Sequence, residues 1–260
     1  MKRQCLHAVL GQAREAENAA LVLRYTLRDH ESEASRKLLF EHARQACSLS
    51  LPVYEPAFER WKGAIQQRAA TQAVEVSGRF ITGLGSATVL ETGIRLHPVY
   101  GTPLIPGSGL KGLAAHYAHC VWGKDDADFL EGGAHHTVIF GTTTESGLFR
   151  FHDAWIFPSC LSTAAQGLLD DVMTPHHSKY KLDASQAPTD FDSPVPVPFL
   201  SVAGEFLLAI EPGARDTGGR WTSLVMDLLL EALETWGAGG KTRTGYGRFR
   251  ASGKRGMPNG

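Results

Sequence analysis

Apolar residues recur near helical spacing through residues 12–70: Leu21, Val22, Tyr25, Leu38, Leu39, Ala43 and Ala46 mark one stretch. Pro52 breaks it before a second helix carrying Phe58, Trp61 and Ile65. At 72–80 the period changes to two. Val74, Val76 and Phe80 alternate with Glu75, Ser77 and Arg79, which predicts a half-buried strand. Glycine and proline fill 83–107, and a helix is expected over 108–121. A second strand fits 147–157, with Phe149 and Phe151 on one face. The stretch 181–198 holds Pro188, Pro194, Pro196 and Pro198 and reads as an extended excursion. A strand follows at 202–211, where Phe206, Leu208 and Ile210 alternate against Glu205 and Glu211. The clearest helix runs 220–236. Trp221, Leu224, Val225, Leu228, Leu229, Ala232, Leu233 and Trp236 form one apolar stripe, with Asp227, Glu231 and Glu234 off it. A last strand covers 245–251.

This β-α-β-β-α-β order is that of an α+β, ferredoxin-like (RRM-like) domain with a helical N-terminal extension and long insertions. The expected division is 1–70 for the extension, 71–252 for the domain and 253–260 for a flexible tail.

Composition narrows the class. The chain has 260 residues, 43% hydrophobic and 20% charged, with net charge −1, as expected of a globular protein with a core. That balance excludes a uniformly basic coat but not a local basic site. Cys5, Cys47, Cys120 and Cys160 form no C-x-x-C pair and read as small hydrophobes of a reduced compartment. No apolar run approaches the ~20 residues that span a bilayer, and the N-terminus lacks a signal-peptide pattern. A cytoplasmic protein is expected.

Two glycine loops carry the candidate chemistry. Gly107-Ser108-Gly109-Leu110-Lys111-Gly112 fits G-x-G-x-x-G, the dinucleotide fingerprint. That fingerprint needs a buried parallel strand before it, and Pro103 and Pro106 stand there instead. What survives is a helix start whose free N–H groups, with Ser108 as cap and Lys111 nearby, suit an anion such as a phosphate. The second loop runs from Gly237 to Gly247. Its Gly240-Lys241-Thr242 matches the end of a P-loop, but Thr235 stands where the first glycine belongs, and the loop joins a helix to a strand rather than the reverse. Gly237 suits a helix C-cap, and the other glycines permit close backbone approach to a ligand. From 241 to 255 come six basic residues and no acidic one, with Tyr246 available to stack on a base: a local RNA-contact signature in a neutral chain.

Other candidates are weaker. His116, His119 and Cys120, and the pairs His135-His136 and His176-His177, show no four-ligand zinc spacing, so no metal or cofactor is expected. His97 and His152 are the general-base candidates; His152 and Asp153, adjacent on a strand, point to opposite faces and cannot form a dyad.

Four stretches together resemble the RAMP superfamily of CRISPR proteins, and within it the sixth-subunit family of Cmr (type III-B) RNA-targeting effector complexes. They are 83–97, with Gly83-Leu84-Gly85 leading to Glu91-Thr92-Gly93-Ile94-Arg95-Leu96-His97; 103–112; 171–177 with Tyr180; and 237–247. The resemblance implies a non-catalytic subunit that holds the 3′ side of a CRISPR RNA, meets target RNA, and packs against other RAMP and small subunits in antiviral defence. Cleavage is then the work of other subunits. Carried over by position, Gly107, Ser108, Lys111, Gly239, Gly240, Lys241, Arg243 and Tyr246 would line the RNA, with Arg79 and His97 as further contacts. The alternative is a stand-alone, metal-independent endoribonuclease that trims CRISPR precursor RNA through one of its histidines.

Overall fold

The computed structural model describes residues 16–27, 29, 32–85, 90, 92–174, 196–213 and 219–256, with side chains through Gly253. His176, His177 and Tyr180 lie outside the described residues. Three helices come first. In α1 (Ala19–Tyr25) and α2 (Glu33–Leu49), Asn18 and Ser32 accept first-turn N–H groups, as N-caps do. Ser50 ends α2 and opens α3 (Leu51–Gln66), where Pro52 sits in the first turn, a place that has no intrahelical use for an N–H.

Further along come β1 (Ala70–Val76), β2 (Leu104–Ile105), α4 (Gly107–Cys120), α5 (Ala134–Phe140), β3 (Phe149–Phe151) and β4 (Ala154–Ile156). After them lie β5 (Gly167–Met173), β6 (Val197–Ala203), β7 (Glu205–Pro212), α6 (Arg220–Thr235) and β8 (Phe249–Gly256). The protein is α+β. Its main sheet is antiparallel in the order β2-β4-β7-β1-β8, with β3 also on β7; β5 and β6 form a separate antiparallel pair.

Five expectations change. The strand expected at 147–157 is two strands, because the register against β7 shifts by one residue between Phe151 and Trp155. The bulge frees His152 and Asp153 for other partners. The strand expected at 202–211 is also two. Gly204, at φ 137°, separates β6, which pairs with β5, from β7, which enters the main sheet. β5 itself is a strand the periodicity did not predict. β1 ends at Val76, since Gly78 is left-handed (φ 94°), so Arg79 lies beyond the strand. Finally β8 begins at Phe249, after the left-handed Gly245 and Gly247, and continues to Gly256 paired with Thr71, where fraying was expected.

Both faces of the main sheet are covered. Five consecutive residues of β7, Phe206 to Ile210, are buried, which a sheet with one wet face does not allow. On one face α6 packs over β7, β1 and β8, with α4 beside it. On the other, Ala209 packs with Ile65, Ala69 and Trp61, and Trp61 stacks on Trp155 of β4 at 5.0 Å. Tyr54 of α3 donates from its hydroxyl to the Ile156 carbonyl (2.6 Å). Two of the described thiols serve packing: Cys47 and Cys160 are buried, and burial pushes the Cys47 thiol up to about 12. No described helix is long and apolar enough to cross a membrane.

Candidate nucleic-acid interface

The first glycine of the 107–112 loop is held by its own protein. A Cβ at Gly107 would collide with the backbone of Phe151 and His152, so only glycine lets α4 begin against the bulge. The Gly107 N–H donates to the Asp153 carboxylate (2.7 Å). An acidic side chain therefore already occupies part of the helix start, the place where the sequence suggested an anion. Ser108 is not the cap either. Pro106 holds the cap position, and Ser108 is an exposed residue of the first turn.

The second loop is folded against residues 79–81. Gly240 donates to the Ile81 carbonyl (2.8 Å), Gly247 to the Arg79 carbonyl (2.7 Å), and Ala238 to the Gly247 carbonyl (2.8 Å). A Cβ at Gly239 would strike Ile81 and Phe80; one at Gly247 would strike Ala238. These glycines thus permit close approach of the chain to itself. Gly237 (φ 75°) does act as the left-handed residue after the helix, donating to the Ala232 carbonyl (3.0 Å). Lys241 is left-handed without being glycine (φ 58°), and its carbonyl accepts from the Thr244 N–H at 3.0 Å and hydroxyl at 2.9 Å.

Tyr246 reaches under the loop. Its hydroxyl donates to Asp171 of β5 (2.9 Å), and burial, then Asp171, pushes its ionisation up while Arg79 opposes them. The Arg79 Nη1 is buried and has no hydrogen-bond partner. Tyr246 therefore ties the loop to the β5–β6 pair, through Asp171 and through the Phe199 ring at 6.1 Å.

The two glycine loops face one another across a groove of about 650 Å³. Pro106, Gly109, Leu113 and His116 line it from α4; Trp236, Gly239, Thr242, Arg243 and Arg248 line it from the other side. Arg248 donates to the Thr235 carbonyl, which fixes its head, while Arg243 is exposed. Gly107, Ser108 and Lys111 lie on another side of α4, in a second hollow of about 960 Å³ with the polar turn 142–146 and Arg150. Of the residues expected to act together, Gly239 and Arg243 share the groove; Ser108 and Lys111 turn away from it.

His97 is a turn-holding residue. Its Nδ1 accepts from the N–H groups of Val99 (3.2 Å) and Tyr100 (3.3 Å), and its ring lies 4.9 Å from Trp155. Burial pulls its pKa down, with Asp153 partly opposing. His152 pairs with Glu211 (2.8 Å) and Asp153 with the Gly107 N–H, so they form no dyad, although they sit in the break between β3 and β4 and not on a strand as expected. His119 accepts from the Glu131 N–H (3.0 Å). Asp126, Asp128 and His135 gather three possible ligand atoms at the surface, with His135 3.6 Å from Asp126.

Sequence reasoning weighed His116 for zinc and Asp153 as a partner of His152, counted Arg248 among the basic residues and placed Asp171 in a resemblance stretch, but foresaw none of these contacts; it assigned Trp236 to the core. Trp236 was the one with a signal: it ends the apolar stripe of α6 beside the glycine loop, where its ring is only partly buried.

A family model described as RAMP superfamily matches residues 74–250. The chain is 27% identical to the CRISPR system Cmr subunit Cmr6 of Pyrococcus furiosus, over 82% of this chain and 81% of that protein. It is 31% identical to the CRISPR system CMR subunit Cmr6 of Saccharolobus solfataricus over 41% of this chain and 33% of that one. In fold it is similar, at TM-score 0.60 and 20% identity, to a chain of the type III-B Cmr-beta complex solved by cryo-EM bound to cognate target RNA. The match covers 88% of this chain and 78% of that one.

Proposed function

The chain belongs to the RAMP superfamily, and from that premise we propose that it is a non-catalytic, RNA-binding subunit of a type III-B CRISPR effector complex. In this reading it holds the 3′ side of the CRISPR RNA and packs against other RAMP and small subunits. The relative that aligns over most of both chains supports the assignment to the complex. The observation that carries the RNA reading is the convergence of the two glycine loops on one groove with Arg243 at its rim. The finer fold belongs to the same proposal. With β3 and β4 taken as one interrupted strand, the order β4-β7-β1-β8 and the helices after β1 and β7 match a ferredoxin-like sheet.

The RNA path does not follow the open-sheet mode of an RRM, because α3 covers that face. Contacts fall instead on the loops around α4 and after α6. The histidines support a non-catalytic role: His97 is committed to a turn through Nδ1, and His152 to Glu211.

The test is purification from the native host, where a bound RNA of discrete length and several partner proteins are expected. In binding titrations of the recovered complex, Lys111→Ala and Lys241→Ala should each weaken RNA retention and lower the slope of log K against log salt by about 0.7, one phosphate contact on a single strand. Unchanged slopes in both variants would remove those lysines from the site. Metal-free cleavage of labelled precursor RNA that vanishes on His97→Ala would replace this reading with the endoribonuclease.

A further inference from the structure

The groove between α4 and the glycine loop has walls of two kinds. Trp236 from the loop side and His116 from α4 set their rings 5.2 Å apart, centroid to centroid and tilted by 59°, and Tyr117 meets Trp236 edge-to-face at 5.0 Å. Leu113 and the buried Phe80 make the remaining wall apolar. The rim on the loop side is cationic: Arg243 is exposed and, among the described residues, has no acidic partner. The volume, about 650 Å³, lies inside the range of roughly 300–1,000 Å³ typical of pockets that take small molecules.

A flat apolar surface next to an anion is the signature of a nucleotide, whose base has two π faces and whose phosphate is one linkage away. We propose that this groove is a nucleobase subsite. It would receive one unstacked base of a bound RNA strand on the Trp236 and His116 rings, while Arg243 meets the adjoining phosphate. The proposal rests on the RNA-binding reading above and goes further, since it turns a charged surface into a place where one base leaves the stack. An acidic peptide would satisfy Arg243 but leave the ring wall unexplained; a purely apolar segment would leave Arg243 unpaired at its rim.

Gly109 offers a way to close the groove without disturbing the fold. It lines the groove, and a Cβ there meets nothing within 4 Å. Gly109→Leu therefore fills the space from a helical position that tolerates a side chain. Trp236→Ala removes the ring instead, at some cost to packing on Tyr117.

The measurement is binding of a labelled single-stranded RNA to the full chain over a salt series, with a second RNA carrying 2-aminopurine. Trp236→Ala and Gly109→Leu should each weaken binding roughly 5- to 100-fold, the range for one base–aromatic stack, with the salt slope unchanged. Arg243→Ala should lower the slope by about 0.7. 2-Aminopurine fluorescence should be quenched on binding the native chain and recover in both groove variants. If the native chain binds RNA while Trp236→Ala and Gly109→Leu bind equally well, the subsite is overturned and the RNA reading stands. If those variants instead lose partner subunits with RNA affinity intact, the groove is a protein dock and the proposal is likewise overturned. If the native chain alone and its recovered complex bind no RNA, both readings fail together.

Discussion

At the scale of single residues, glycines that look alike in sequence do opposite work. Gly109 is an exposed helical position with open space around a would-be Cβ. Gly239 is left-handed at φ 80° and lies against the Ile81 carbonyl. Gly109→Ala should stabilise the protein by about 0.5–1 kcal/mol, the usual helix gain of alanine over glycine. Gly239→Ala should cost about 2–3 kcal/mol, from left-handed strain together with displacement of the Gly240–Ile81 hydrogen bond. Thermal melts of the two variants should therefore move in opposite directions. The glycine pattern was legible in the sequence; its meaning was not. Whether a missing Cβ faces a ligand, solvent or another part of the chain depends on residues that can lie far off in sequence, such as Ile81 against Gly239. Asp153 is the same case, since nothing near it in sequence says that it will meet Gly107.

At the scale of elements, the hydrophobic pattern located α3, α4 and α6 well and misjudged the strands. β7 was read as an alternating strand because Phe206, Leu208 and Ile210 fit that period. Leu207 and Ala209 between them are also apolar, and the full run of five is that of a strand covered on both sides. The breaks at His152-Asp153 and Gly204 were invisible to periodicity because each is set by a partner strand's register. The turn around His97 carries a testable pH dependence. Its Nδ1 accepts two N–H groups, so protonation would replace an acceptor with a donor. Burial lowers the folded pKa of His97, and of His136, below the unfolded value near 6.5. Their stabilising contribution is then complete above about pH 6.5 and lost as the pH falls through the lowered folded value. The melting temperature should decline between roughly pH 7 and 5. His97→Asn, which keeps an acceptor and cannot titrate, should flatten that decline; an unchanged pH profile would mean that His97 is not the group responsible.

At the scale of the molecule, charge and architecture point the same way. The six basic residues from 241 to 255 lie on the glycine loop and the edge strand β8, while the chain as a whole is close to neutral. The sheet face away from α6 is filled by α3, with Trp61 on Trp155. Trp61→Ala should lower stability by about 1–3 kcal/mol, as expected for a half-buried stacked ring, and leave RNA affinity at conditions of full folding unchanged. A large loss of affinity without unfolding would return the sheet face to the interface. That the chain is α+β could be read from its sequence, because helix and strand periods are local. The closed face could not, because helices that precede a sheet in sequence carry no mark of the side on which they will pack.

The glycine loop is fastened by backbone bonds to Arg79 and Ile81, to itself at Ala238 and Gly247, and through Tyr246 to Asp171. A loop so fixed has surrendered its conformational freedom during folding, before any ligand arrives. In the proposed contact with RNA it would have little left to order, so the entropy lost in association would fall mainly on the flexible strand, with the loop as a rigid template against which that strand takes its shape.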